Sequence, residues 1–204
     1  MIIVSEYLLS FHDCKALRIT DTYSLHRAVY SLFEDIRAGG QGGASDSSGI
    51  LFADKGAYKG MRRLLIVSDR EPLPPRFGML QRRELKPAFL DFPQYRFECV
   101  LNPVRKNAET GRRDPVRGRE AVAEWFIKKA PSCGFTLDEA ALQVADITVD
   151  CFEKGGHRVT LSKARITGIL TVTDRERFAH SVAHGVGHGK AFGCGLLQVA
   201  PLAF

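Results

Sequence analysis

No run in this 204-residue chain approaches the roughly 20 consecutive apolar residues needed to span a bilayer. Met1-Ile2-Ile3-Val4 is apolar, but Glu6 follows at once, and no charged leader with a long hydrophobic stretch precedes a cleavage signal. Nor is there a C-x-x-C pair among the five cysteines, Cys14, Cys99, Cys133, Cys151 and Cys194, and their odd number argues against a disulfide framework. These absences lead to the expectation of a soluble, cytoplasmic protein with reduced thiols and no cysteine zinc site. Bias toward disorder is also missing. At 45% hydrophobic and 25% charged residues the chain can bury a real core, as one large domain or two small ones. Charge is lopsided: 29 Lys plus Arg against 23 Asp plus Glu leave a net +6, which admits an acidic partner without identifying one.

What is present reads as two successive units. Met1 to Phe11 is a first strand ending near His12-Asp13, and Thr22 then caps a helix whose Leu25, Val29, Leu32, Phe33 and Ile36 form one apolar stripe. Gly39-Gly40 stops that helix, and the Gly- and Ser-rich stretch Gly39 to Gly49 is a flexible connection. Ile50 to Ala53 and Arg63 to Val67 form a hairpin, prolines break Pro72 to Pro75, and Leu85 to Phe92 offers a strand weakened by Pro87. A second unit opens with the alternating strand Tyr95 to Leu101. A basic loop from Val104 to Arg119 and a helix from Glu120 to Ala130 follow. Val144 to Val149, Arg158 to Leu161 and Ile166 to Val172 are three strand candidates, with Lys154-Gly155-Gly156 as the first turn; Asp174 caps a helix to about His184, and a last strand runs through Leu196 to Val199. Strands and helices in this order predict an α+β chain of two tandem ferredoxin-like βαββαβ folds, RRM-like in outline, over residues 1–93 and 94–204, with no sequence repeat between them.

Three constellations could carry chemistry. Gly185, Gly187, Gly189, Gly193 and Gly195, with Lys190 among them, make a backbone able to approach phosphate oxygens or simply to turn between helix and strand. A nucleotide P-loop is excluded because no Ser or Thr follows Lys190 and a strand, rather than a helix, comes next. His180, His184 and His188 stand four apart like zinc ligands, but the glycines break the helix before His188 and no H-E-x-x-H base is present, so no metal is expected. Tyr23 and His26 project from one helix face with Arg27 beside them. Together they supply an imidazole for proton transfer, a phenol donor and a guanidinium for phosphate, the parts that RNA cleavage without metal or cofactor requires; the bland alternative is a histidine decorating a helix.

In these residues the chain resembles the CasE family, the CRISPR repeat endoribonucleases of subtype I-E Cascade complexes. The resemblance covers nearly the whole length. Its most specific part is Gly185 to Leu202, similar to the family's closing G-x-G-x-x-K-x-x-G-x-G-L-L and Ala-Pro-Leu end; Tyr23-x-Leu25-His26 and Tyr95-Arg96-Phe97 through Leu101-Asn102-Pro103 fit in order. It implies that His26 is the catalytic histidine and Tyr23 its assistant; the side-chain chemistry itself adds Arg27, and after it Lys163, to neutralise developing negative charge. It also implies cleavage of pre-crRNA by 2′-hydroxyl attack, leaving a 2′,3′-cyclic phosphate and a 5′-hydroxyl. Arg105, Lys106, Arg112, Arg113 and Arg117 would grip the repeat hairpin, an arginine in its deep groove could read a guanine, and Arg158, Lys163 and Lys190 would extend the surface. The implied partners are the repeat hairpin, mature crRNA and other Cascade subunits, with a monomer when free and no membrane. The rival from the same fold is a crRNA-binding subunit that does not cut.

Overall fold

The structure, a computed structural model, describes residues 1–34 and 48–202, which group into two compact units. The first comprises Met1–Leu85 with Ala191–Gly193, the second Lys86–Lys190 with Cys194–Phe204.

In the first unit β1 (Ile3–Leu9), β2 (Ile50–Tyr58), β3 (Met61–Ser68) and β4 (Met79–Glu84) form an antiparallel sheet in the order β2-β3-β1-β4. Strict alternation along β1 buries Ile3, Ser5, Tyr7 and Leu9 on one face, as a half-covered strand requires. Among the described residues between β1 and β2 are the helices α1 (Phe11–Ala16) and α2 (Thr22–Tyr30). Helix α2 buries Leu25 and Val29, and with Leu32 and Phe33 they pack on Tyr7 and Leu9 of β1, Ile50 and Phe52 of β2, and Leu64 and Ile66 of β3. Burying side chains of this kind stabilises by about 1.5–3 kcal/mol each, enough to hold a nine-residue helix that would be marginal alone.

In the second unit β5 (Gln94–Leu101) lies between β11 (Gln198–Pro201) and β10 (His157–Val172), while β8 (Phe135–Leu137) and β9 (Gln143–Lys154) share the far edge of β10. A two-stranded ribbon of β6 (Val104–Lys106) and β7 (Arg113–Pro115) precedes α3 (Arg119–Lys129), and α4 (Arg175–His184) follows β10. A chain of aromatic rings fills the space between helices and sheet: Phe97 meets Phe126 of α3 at 5.8 Å, Phe126 meets Phe135 at 6.1 Å, and Tyr95 meets Phe178 of α4 at 5.1 Å. The order β11-β5-β10-β8 repeats that of the first sheet, so both units are ferredoxin-like, as the order of elements predicts.

Several boundaries differ from the sequence reading. The strand from Met1 to Phe11 ends at Leu9, because Ser10 and Asp13 form a capping box that starts α1 in what reads as strand. Asp21, rather than Thr22, caps α2, and Thr22 is its first helical residue. Leu85 to Phe92 is no strand: Pro87 opens a 3-10 turn over Pro87–Leu90, and the edge strand is Met79–Glu84, whose mostly exposed residues hide the usual alternation. Arg158–Leu161 and Ile166–Val172 are one 16-residue strand, continuous through a bulge at Arg165/Ile166. Helix α2 ends at Tyr30 with Ser31 as its C-cap, so Leu32 and Phe33 pack on the core from the turn after it and not from the helix itself; Ile36 and most of the Gly39–Gly49 connection lie outside the described residues.

Gly134 closes the turn after α3 at φ 87°, and its carbonyl accepts from the N–H groups of Thr173 and Asp174, the cap of α4. A Cβ there would lie 2.4 Å from the Phe178 amide nitrogen and 2.5 Å from the Asp174 carbonyl oxygen. Gly134→Ala is therefore expected to destabilise the protein by about 3 kcal/mol, seen as a lower midpoint in urea denaturation with an unchanged slope.

Candidate functional site

Helix α2 presents Tyr23, His26 and Arg27 because its start is pinned. The buried Ser24 hydroxyl accepts from the N–H groups of Thr20 and Asp21, both at 2.9 Å, while the Asp21 carboxylate accepts from the Ser24 N–H at 2.7 Å. The Ser24 hydroxyl also donates to the Asp21 carboxylate at 2.6 Å, and that bond first, then the one from the Ser24 N–H, holds the Asp21 carboxyl below the usual carboxylate range. Leu25, Ala28 and Val29 face the core, which leaves the opposite stripe for chemistry.

On that stripe the Tyr23 and His26 rings stack at 5.9 Å, and the Arg27 guanidinium lies 5.6 Å from the Tyr23 ring centroid. The three residues singled out from the sequence are thus together. Two aromatic neighbours of His26 escaped it: Tyr30, one turn on with ring centroids 4.1 Å apart, and Phe192, at 5.6 Å. Tyr30 was discernible, since Tyr23, His26 and Tyr30 follow the three- and four-residue spacing of one face. Phe192, 166 positions away, carries no local signal. A cavity of about 260 Å³ opens beside His26, lined by Arg27, Tyr30, Ser31, Glu34 and Arg70 among others. Arg70, likewise unforeseen, is fixed by donating to the Ser48 carbonyl at 2.9 Å and the Asp69 carboxylate at 2.8 Å. An imidazole held among three rings has a set orientation, with Arg27 beside it to meet negative charge.

In the second unit the basic loop is a built ribbon. The Asn107 carboxamide oxygen accepts from the N–H groups of Glu109 and Thr110, the Asn107 backbone N–H donates to the Arg112 carbonyl at 2.7 Å, and the Trp125 indole of α3 donates to the Val104 carbonyl at 3.2 Å. Arg105, Lys106, Arg112, Arg113 and Arg117 are all exposed on or beside it. Lys106 stands directly opposite Arg113, a like-charged pair that costs stability. Arg158 is exposed on β10 opposite Glu153. Lys163 differs: its side chain is only 16% exposed and pairs with Asp150 at 2.8 Å, so it is no ordinary solvated charge.

All five glycines of the C-terminal segment take φ between 76° and 84°. At Gly195 the need is clear, because a Cβ would lie 2.6 Å from the Val186 carbonyl oxygen. The Gly195 carbonyl accepts from Val186 and its N–H donates to Val100 of β5 at 2.7 Å, so the segment is folded against the sheet. Burial pushes the Cys194 thiol up to about 12, which leaves it no role as a nucleophile at neutral pH. His180 and His184 stack at 4.2 Å on the exposed face of α4, but the helix ends at His184 and His188 bridges to Asn102 instead. Among the described residues no group of three or more His, Cys, Asp or Glu could hold a metal, and no helix is long and apolar enough to cross a membrane.

The family described as CRISPR associated protein matches residues 4–201. The chain belongs to that family. Its resemblance to the CasE members, drawn from the glycine segment and the Tyr23-x-Leu25-His26 motif, agrees with this membership. Within the family it is similar to the CRISPR-associated endoribonuclease Cse3 of Thermus thermophilus, 31% identical over 125 residues. That match covers 56% of this chain and 59% of the relative, so it spans about three fifths of the relative's length. Two solved structures share the fold. Thermus thermophilus Cse3 bound to an RNA representing a pre-cleavage complex superposes with a TM-score of 0.79 at 23% identity, over 98% of this chain and 99% of that one. A chain of a CRISPR RNA-guided surveillance complex does so with a TM-score of 0.71 at 22% identity, over 98% and 100%.

The Asp21 cap supports the helix that carries His26, and its contribution follows from its lowered acidity. A carboxyl held below its unfolded value contributes stability at neutral pH that is lost as pH falls through the folded value. Asp21→Ala is expected to cost about 1 kcal/mol at pH 7, and the gap between wild type and variant in chemical denaturation is expected to narrow progressively as the pH is lowered below about 4.

Proposed function

We propose that this chain is a CRISPR repeat endoribonuclease that binds the hairpin of pre-crRNA and cuts it without a metal or cofactor. The observation that carries the reading is His26, oriented on a capped helix between Tyr23 and Tyr30 with Arg27 alongside. Family membership, the Thermus relative named as an endoribonuclease and the RNA-bound state of a structure with the same fold support it.

In the reaction, the substrate's 2′-hydroxyl attacks the adjacent phosphorus, and the bond from phosphorus to the 5′-oxygen breaks. His26 takes the proton from the 2′-hydroxyl or delivers one to the departing 5′-oxygen, leaving a 2′,3′-cyclic phosphate and a 5′-hydroxyl. The Tyr23 phenol donates a hydrogen bond to the scissile phosphate, and Arg27 offsets the negative charge that builds on its oxygens. Lys163, paired with Asp150, assists only if the substrate displaces that carboxylate.

Arg105, Lys106, Arg112, Arg113 and Arg117 grip the hairpin's phosphates, and Arg158 and Lys190 extend the grip. The product crRNA stays bound, so the chain acts as a monomer when free and as a Cascade subunit once loaded, in the cytoplasm. The similar chain within an RNA-guided surveillance complex is consistent with that assembly.

His26→Ala is expected to reduce single-turnover cleavage of the repeat hairpin by about 10²–10⁴-fold while leaving the dissociation constant within about threefold of wild type. Wild-type cleavage should persist in EDTA, with the cyclic phosphate identified by mass spectrometry. Tight binding with no cyclic phosphate would turn the reading into a crRNA-holding subunit that does not cut. Separately, Arg105→Gln with Arg112→Gln is expected to lower the slope of log affinity against log salt by about 2, measured by filter binding.

A further inference from the structure

Four basic groups of the second unit converge from different parts of the chain on the glycine segment. Trp125 on α3 marks the place: its indole donates to the Val104 carbonyl on β6, and a Cβ added at Gly187 would touch the same ring at 3.9 Å. Lys129 is one turn further along α3, on the same face as Trp125. His188, next after Gly187, bridges to Asn102 at the end of β5, and Arg113 is the first residue of β7. The stem of Lys190 packs near Gly195.

These charges act on one another. His188 is exposed, and partial desolvation on its inner side, then the charges of Arg113, Lys129 and Lys190, pull it below its ordinary value; partial burial and then Lys129 pull Lys190 down, with the Cys133 thiol acting in the other direction. The nearby carboxylates are engaged elsewhere, Glu124 with Lys128 and Asp114 with the Asn107 side chain. Among the described residues none of Arg113, Lys129, His188 and Lys190 forms an ion pair. Like charges gathered without a counter-charge cost folding stability, and an arriving anion converts that cost into attraction.

We infer that Lys129, His188 and Lys190, with Arg113 at the rim, form a phosphate-binding site, and that His188 takes up a proton when the site fills. The occupant is a backbone phosphate of the bound RNA, so the inference rests on the proposed function and adds Lys129 and His188 to the residues that hold the substrate. The sign follows from the charges. An anion favours the protonated imidazole, so the site's affinity rises as pH falls toward and through the titration of His188.

The test follows the His188 imidazole by NMR in the full-length protein between pH 5 and 8. Its resonances are assigned through the backbone and checked with His188→Gln, and the protein is measured alone, with inorganic phosphate, and with the repeat hairpin RNA. With the hairpin, the His188 titration midpoint is expected to move up by about one pH unit, less so in Lys129→Gln; a smaller upward move with inorganic phosphate supports the same chemistry. An upward move with inorganic phosphate but none with bound hairpin overturns the RNA phosphate as occupant. No move with either ligand overturns the site, and if the hairpin is nonetheless bound and cut in a His26-dependent way, the nuclease reading stands without it. Failure of the hairpin to bind at all, by contrast, removes the nuclease reading.

Discussion

The C-terminal segment can lie where it does only because its backbone turns through conformations that side chains forbid. Between Gly185 and Gly195 the chain doubles back until the Val186 N–H meets the Gly195 carbonyl, and the Gly195 N–H continues onto β5 at Val100. Any Cβ at Gly195 would strike the Val186 carbonyl oxygen. On that closure depend the placement of His188 beside Asn102, of Lys190 against Gly195 and of Cys194 in its buried seat. Phe192 is carried by the same stretch and supplies one of the rings around His26. Five glycines, which have no side chain of their own, thus determine where His188, Lys190 and Cys194 stand.

Helix α2 reaches a comparable result by other means. Its nine residues are too few for stability in isolation, so their geometry is imposed by the Asp21 and Ser24 cap at one end and by Leu25 and Val29 against the sheet. Rings on the remaining face limit the orientations open to His26.

Local patterns in the sequence carried much of this. The Lys154-Gly155-Gly156 turn, the Asp174 cap and the end of α4 at His184 are set by residues within a few positions of one another, and each was legible. So were Tyr23, His26 and Arg27 as neighbours on one face. Features that depend on distant partners were not. β8 is three residues long and exists because it pairs with Leu170 to Val172 of β10, and α1 was hidden because Phe11, its first residue, continues an apolar run. The convergence of Arg113, Lys129, His188 and Lys190 spans some 77 positions and leaves no spacing to read. The arginines between Val104 and Arg119 were visible as a charge run, but the ribbon that orders them needs the Asn107 turn and the Trp125 anchor from α3.

Strand β10 outruns its neighbour. Only from Ala164 onward does it pair with β5, whereas residues 157–163 pair with β9 alone, as a two-stranded ribbon ending in Gly155-Gly156. A ribbon anchored at one end behaves as a modular extension. Paired residues can be added to or removed from its tip without altering any strand contact in the four-stranded core. The length of the arm that bears Arg158 can therefore drift between lineages while the fold stays constant, so proteins sharing this architecture can differ in reach before they differ in chemistry.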